Sequence, residues 1–91
     1  MQIDVRLPGT LAENERAELL DAELERGRQL VEAGAIRAIW RIPGALRNVG
    51  IWEAADATEL HEQLSSLPLF PWLRTDVTPL AEHPLHRFLD R

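Results

Sequence analysis

One carboxylate of this sequence falls on the apolar side of a predicted helix. On a helical wheel, Glu23 lies between Leu20 and Leu30, whereas three glutamates of the same segment lie on the opposite face, namely Glu18, Glu25 and Glu32. Burial raises the pKa of a carboxyl group and brings it closer to the range useful for a general base at neutral pH. Glu23 is therefore the first candidate for proton transfer. The alternative is a structural carboxylate paired with Arg16 or Arg26.

Two further polar residues could assist such a transfer. Asn48 can donate a hydrogen bond to a carbonyl or enolate oxygen, although asparagine is also favoured as a turn residue after a Pro-Gly pair. Arg41 offers a fork of donors that could bind a substrate carboxylate. An arginine that alternates out of a strand more often faces solvent or bridges subunits. Arg16, two helical turns from Glu23, is a second possible cation.

A histidine and a serine lie one helical turn apart in the second half of the chain. His61 could relay protons near neutral pH beside Ser65, but a lone helical histidine is more often a packed or capping residue. With His83 and His86, His61 does not form a tight metal-ligand spacing, so no metal site is predicted. Four large aromatic residues are expected first as core or interface anchors, and one or two could wall a substrate pocket: Trp40, Trp52, Phe70 and Trp72.

Composition excludes several classes of function. All ten basic residues are arginine, and the chain has no lysine and no cysteine, which rules out Schiff-base and thiol chemistry. The net charge of −5 and the lack of a basic run argue against nucleic-acid binding. No apolar stretch is long enough for a membrane span, and the first residues do not resemble a signal peptide. A cytoplasmic, soluble protein is expected.

Periodicity predicts six elements in 91 residues. The first half contains a strand around Ile3 and Val5, a helix over 11–33 and a strand over 36–42. The second half contains a strand over 48–54, a helix that is capped by Asp56 or Thr58 and runs to Ser66, and a strand over 72–79. The order βαββαβ indicates an α+β, ferredoxin-like fold in which two helices cover one face of an antiparallel sheet. Residues 1–80 would form this domain.

The predicted sheet leaves one face uncovered. A small chain with Trp and Ile on both sheet faces should associate with another sheet, as in a dimeric α+β barrel, so a homo-oligomer is expected. The remaining residues, 81–91, have no place in the six-element fold. They are predicted to be a C-terminal tail that packs on a neighbouring subunit.

Three ordered motifs resemble the muconolactone delta-isomerase family. They are LH-x2-L-x2-LPLFP at residues 60–71, IWR-x2-G-x3-N at residues 39–48 and V-x-PL-x2-HP at residues 77–84. The resemblance runs from Leu7-Pro8 to His83-Pro84, although family members usually begin a few residues earlier, which implies a shortened first strand. It implies a ring-like homodecamer and a cofactor-free proton shift that converts muconolactone to the enol-lactone of 3-oxoadipate, a step in the breakdown of aromatic compounds.

The resemblance also implies roles for individual residues. Glu23 aligns with the proposed catalytic base and Asn48 with an active-site asparagine. Leu46 stands where active members have a tyrosine, Val49 replaces a later tyrosine, and Glu82 stands where the family often has arginine. Leu46 makes the predicted substrate pocket drier, and losing one oxyanion donor can cost about a hundredfold in rate.

Three functions follow from these features. The first is a cofactor-independent isomerase of muconolactone or a related unsaturated lactone that carries a carboxylate, with Glu23 as acid and base. The second is a lactone dehalogenase, since relatives use the same proton abstraction to expel chloride from chlorinated muconolactone. The third is a non-catalytic oligomeric module that binds small molecules, because small ferredoxin-like oligomers host many functions.

Overall fold

A computed structural model describes residues 1–89. Its elements are β1 (Gln2–Val5), α1 (Glu13–Glu32), β2 (Ile36–Ile42), β3 (Arg47–Trp52), α2 (Ala57–Ser65) and β4 (Leu73–Asp76), with short 3₁₀ helices at Phe70–Trp72 and Pro84–Phe88. The four strands form one antiparallel sheet in the order β2-β3-β1-β4. The predicted α+β, ferredoxin-like arrangement is confirmed. No helix in the described range is long and apolar enough to cross a membrane.

Local hydrogen bonds define the C-terminal end of α1 and the N-terminal end of α2. After α1, Gly34 has φ of +82°, and its N–H and that of Ala35 donate to Val31 and Leu30 at 3.0 and 2.9 Å, which closes the helix in a Schellman motif. The side chain of Asp56 caps α2 by accepting from the Glu59 N–H at 2.8 Å. The caps therefore fix where each helix meets the sheet.

The core lies between the helices and one face of the sheet. It is formed by a cluster of buried apolar residues from β1, β2, both helices and the turns that follow the helices: Ile3, Leu30, Ala35, Ile36, Leu64 and Leu67. Leu69 is the most deeply buried side chain, at 2% exposed. We call this side of the sheet the helix face.

A bulge at Arg37 changes which residues of β2 reach the helix face. Ile36 pairs with Trp52, whereas Ala38 pairs with Ile51, so one extra residue intervenes on β2. The regular alternation of a strand over 36–42 would put Ile36 on the same face as Ala38, Trp40 and Ile42, and the bulge breaks it. Ile36 is buried on the helix face, and the other three lie on the opposite, bare face.

The bare face exposes large apolar side chains. Trp40 is 61% exposed and its cross-strand partner Val49 is 41% exposed, with Ile51 also exposed on the same side. Of the two roles expected for Trp40, core or interface anchor, the core role is thus wrong, and the interface role stays a prediction. Its side chain lies on the surface because the bulge and the strand alternation direct it away from both helices.

Two other expectations need correction. Helical spacing predicts Leu24 and Val31 on the apolar side of α1, but they are 76% and 50% exposed. The inward side of α1 instead runs through Leu19, Glu23 and Leu30. The last strand, predicted over 72–79, covers Leu73–Asp76: it starts one residue later because Trp72 belongs to a 3₁₀ turn, and it ends before residues 77–79. The strand predicted over 48–54 is observed at Arg47–Trp52.

The C-terminal segment extends along the surface. After β4 it forms only the 3₁₀ helix Pro84–Phe88, and residues 76–89 are all exposed. Two residues of the predicted tail, Asp90 and Arg91, lie outside the described residues. Packing of this tail on a neighbouring subunit stays a prediction.

Candidate functional site

Glu23 is the half-buried carboxylate of α1. Its Oε1 accepts a hydrogen bond of 3.1 Å from the backbone N–H of Leu69, which is distant in sequence. Burial raises the pKa of Glu23 above its ordinary value of 4.5, and the hydrogen bond from Leu69 opposes that rise. The other three glutamates compared on the helical wheel are exposed, as predicted: Glu18, Glu25 and Glu32.

Neither arginine proposed as a structural partner pairs with Glu23. Arg16 is exposed, and the guanidinium of Arg26 bonds Ser66 Oγ and Gln29 Oε1, each at 2.9 Å. Among residues 1–89, the ion pairs do not include Glu23. The carboxylate is therefore held by a neutral backbone donor, with one oxygen engaged and the other left without a described bond.

Asn48 lies on the helix face of β3, with Ile3 of β1 on one side and Arg41 of β2 on the other. Its position inside a strand removes the alternative role as a turn residue. The side-chain Oδ1 of Asn48 is buried and has no hydrogen-bond partner among residues 1–89. This oxygen can therefore accept a hydrogen bond from a ligand.

Glu23 and Asn48 can each be located by the distance along its own element from a shared part of the core. Leu30 and Ile36 pack in one core cluster, and Ile36 pairs with Trp52, which gives the helix and the sheet a common reference. Glu23 precedes Leu30 by two helical turns, about 10 Å along the axis. Asn48 precedes Trp52 by about 13 Å along its strand. Glu23 and Asn48 are thus separated from that reference by similar lengths of their own elements.

Leu46 and Arg41 flank Asn48. The carbonyl of Leu46 accepts from the Val5 N–H at 2.9 Å, which ties the segment before β3 to β1, and the Leu46 side chain is half-buried. Arg41 is directly across from Asn48 on the helix face, and its side chain is exposed. This places an accessible cation beside the free amide.

The remaining predicted site residues are not brought to Glu23 within one subunit. Trp40 lies on the bare face of the sheet. His61 is exposed and contacts Phe70 edge to face, with ring centroids 5.8 Å apart, and Ser65 Oγ donates to the Glu62 carbonyl at 3.2 Å. His61 therefore has a local packing contact, and Ser65 has a hydrogen bond within its own helix.

Two cavities lie away from Glu23 and Asn48. One of about 330 Å³ is bordered by Met1, the end of β3, the start of α2 and residues 77–80. A wider depression of about 540 Å³ lies beside the end of α1 and residues 53–55. Neither is lined by Glu23 or Asn48.

Sequence reasoning missed the Leu69 N–H as a site group. The sequence pattern of the motif LPLFP predicts only a connection between α2 and the last strand. A backbone donor leaves no trace in residue type, since every residue except proline has one. The available signal was the pair of prolines, which remove two donors and restrict the turn around Leu69.

Comparisons with known proteins agree on one family. The family model for muconolactone delta-isomerase matches residues 1–86. The muconolactone delta-isomerase of Rhodococcus opacus is 36% identical over 83 residues, which cover 91% of this chain and 89% of that protein. That of Cupriavidus pinatubonensis is 34% identical over 84 residues, covering 92% and 91%. The crystal structure of a muconolactone isomerase at 3.3 Å resolution superimposes with a TM-score of 0.82 at 31% identity, covering 91% of this chain and 86% of that one.

Proposed function

Because this chain belongs to the muconolactone delta-isomerase family, we propose that it is a cofactor-independent isomerase that moves a proton within muconolactone or a related unsaturated lactone. The proposed conversion is that of muconolactone to the enol-lactone of 3-oxoadipate, a step in the breakdown of aromatic compounds. Substrate and product are isomers, so only one proton and one double bond change position. Such a shift needs a base, an oxyanion donor and an anchor for the substrate carboxylate.

Glu23 is the proposed acid and base. Its carboxylate removes a proton from a carbon of the lactone, and the electrons of that C–H bond move into the unsaturated system and leave negative charge on the carbonyl oxygen. The carboxyl group then returns the proton to a different carbon, and the new double bond is complete. No atom is gained or lost, and Glu23 is again a carboxylate at the end of the cycle.

Asn48 and Arg41 are proposed to bind the lactone carbonyl and the free carboxylate of the substrate, respectively. The Oδ1 of Asn48 has no described protein partner, and the NH2 group of the same side chain is the proposed donor to the developing enolate oxygen. Arg41, across from it on β2, offers an exposed guanidinium for the free carboxylate of the substrate. The two groups are cross-strand neighbours, which suits a substrate that carries both functional groups.

The observation that carries this proposal is the environment of Glu23. A half-buried carboxylate loses part of its hydration, yet among residues 1–89 Glu23 has only the Leu69 N–H as a described partner. Its raised pKa, caused by burial, brings it toward the value that suits a base near neutral pH. A purely structural role would be served more cheaply by a neutral side chain.

Absorbance assays with plain, methylated and chlorinated muconolactone test this function. Glu23→Gln keeps an acceptor for the Leu69 N–H but removes the base, so we expect kcat to fall by about 10²- to 10⁴-fold. Glu18→Gln is the matched control, since Glu18 lies on the same helix and is exposed. Chloride release from the chlorinated substrate would extend the activity to dehalogenation.

Two results would contradict the proposal. Activity that survives Glu23→Gln unchanged would remove Glu23 as the base. A folded wild-type chain with no activity on any of the three substrates would favour the binding-module alternative.

We also propose that the active form is a homo-oligomer. The bare face presents Trp40, Val49 and Ile51, and the C-terminal segment presents further exposed apolar residues, namely Leu80, Leu85 and Leu89. Contiguous exposed apolar surface of this kind is typical of protein interfaces. Pairing of bare faces and packing of residues 81–91 on a neighbour would cover both. The decameric ring and the cytoplasmic location stay predictions.

A further inference from the structure

The turn that follows α2 directs one backbone donor toward α1. Within residues 67–72, all of which are described, three N–H groups are bonded locally: Leu67 to Leu64, Phe70 to Leu67 and Trp72 to Leu69, at 3.1, 3.0 and 2.8 Å. Pro68 and Pro71 have no N–H. The remaining N–H, that of Leu69, donates to Glu23 Oε1. The turn therefore has a single outward donor, and Glu23 receives it.

Burial fixes the position of that donor. Leu69 is only 2% exposed, and its neighbour Leu67 belongs to the core cluster. Movement of the Leu69 N–H would require a well-packed side chain to leave the core, which is energetically costly. The donor is therefore as rigid as the core itself.

A second polar contact joins α1 to the same segment. Arg26, one helical turn after Glu23, donates to Ser66 Oγ at 2.9 Å, and Ser66 Oγ in turn donates to the Gln63 carbonyl at 2.7 Å. Two contacts on adjacent turns of α1 restrict rotation of the helix about its axis. They therefore fix the direction in which the Glu23 side chain leaves the helix.

We propose that the turn at residues 67–72 is a positioning element for Glu23: the Leu69 N–H holds one carboxylate oxygen, so that the other is presented to the substrate in a single orientation. This inference rests on the proposed function, since it concerns the presentation of the base. Leu69 acts through Glu23 and is a positioning residue. General bases are most effective when such geometry is set before the substrate arrives.

Other titratable side chains lie on α1, on β2 and on α2. Arg26 lies on the same helix, Arg41 lies on the helix face of β2, and His61 of α2 contacts Phe70 of the turn. Residues 66–69 contain no titratable side chain. Removal of the Leu69 N–H alone leaves all these groups in place.

A backbone ester tests the proposal directly. Replacing Leu69 by its α-hydroxy acid exchanges the N–H for an oxygen in the full-length chain, and the matched control makes the same exchange at Phe70, whose N–H bonds only within the turn. The Leu69 ester should raise the pKa of Glu23, followed by ¹³C NMR of its carboxyl carbon, and lower kcat by about tenfold. The Phe70 ester should leave the pKa unchanged.

The natural chain provides a second measurement that needs no substitution. The ¹⁵N and ¹H shifts of the Leu69 amide should change with pH at the midpoint of the Glu23 carboxyl group. A Leu69 amide that does not follow Glu23, or an equal shift of the Glu23 pKa in both esters, would overturn the proposal. These titrations need no turnover, so their failure is distinct from that of the proposed function, which fails if Glu23→Gln stays active.

Discussion

The two faces of the sheet are built by the same four strands but differ in what they expose. On the helix face, the Oδ1 of Asn48 is buried, and the two helices cover the apolar core on this side of the sheet. On the bare face, Trp40 and Val49 are exposed and no helix covers them. The comparison separates two tasks: one face suits chemistry within a subunit, and the other suits contact between subunits.

Residues adjacent in sequence therefore lie on different faces and are expected to have different functions. Asn48 and Val49 are consecutive, and so are Trp40 and Arg41, yet each pair divides between the two faces. In such a small domain, one β-bulge at Arg37 is enough to decide which side of β2 carries the tryptophan. Substitutions of adjacent residues should consequently have unrelated effects.

The largest of these effects is expected at Asn48. Asn48→Asp keeps the shape of the side chain but replaces an amide donor with a carboxylate, so kcat should fall by about a hundredfold. Val49→Thr, one residue away on the bare face, is the matched control and should leave kcat close to the wild-type value. Steady-state kinetics on the best substrate measure both. Equal losses for the two variants would mean that the faces are not functionally separate.

Assembly of the oligomer, in contrast to kcat, should depend on substitutions of the bare face. Trp40→Glu puts a charge on the bare face and should raise the dissociation constant of the oligomer by about thirtyfold or more. Leu24→Glu is the control, because Leu24 is a comparably exposed apolar residue on α1. Light scattering over a dilution series gives the mass. A wild-type chain that is strictly monomeric at micromolar concentration, or dissociation caused only by Leu24→Glu, would refute the assignment of the bare face.

A smaller gain is expected at Leu46. The resemblance to the family assigns a tyrosine to this position, and a phenol there could donate to the enolate oxygen beside Asn48. Leu46→Tyr should therefore raise kcat by about tenfold, the value of one added hydrogen bond. Leu46→Phe adds the ring without the hydroxyl and should give no gain. If both variants lose activity alike, position 46 serves packing on the helix face and not chemistry.

Much of the fold could be predicted from periodicity. The order of elements, the inward direction of Glu23 and the cap at Asp56 depend on local patterns that sequence displays directly. The exposure of Leu24 and Trp40 could not be predicted, because it depends on how α1 is rotated on the sheet and on a bulge without a residue signature. The Leu69 donor was equally hidden, since a backbone group bonds according to tertiary structure and not according to side-chain type.

The central claim is that Glu23, held in the helix-face layer, is the base. The most direct measurement compares the pH dependence of kcat/KM with the ¹³C titration of the Glu23 carboxyl group in the same protein. Only the carboxylate can accept a proton, so kcat/KM should rise with pH through the midpoint of Glu23, and burial should place that midpoint above the ordinary pKa of 4.5. A rise in kcat/KM at a different midpoint, or none across the titration of Glu23, would contradict the account.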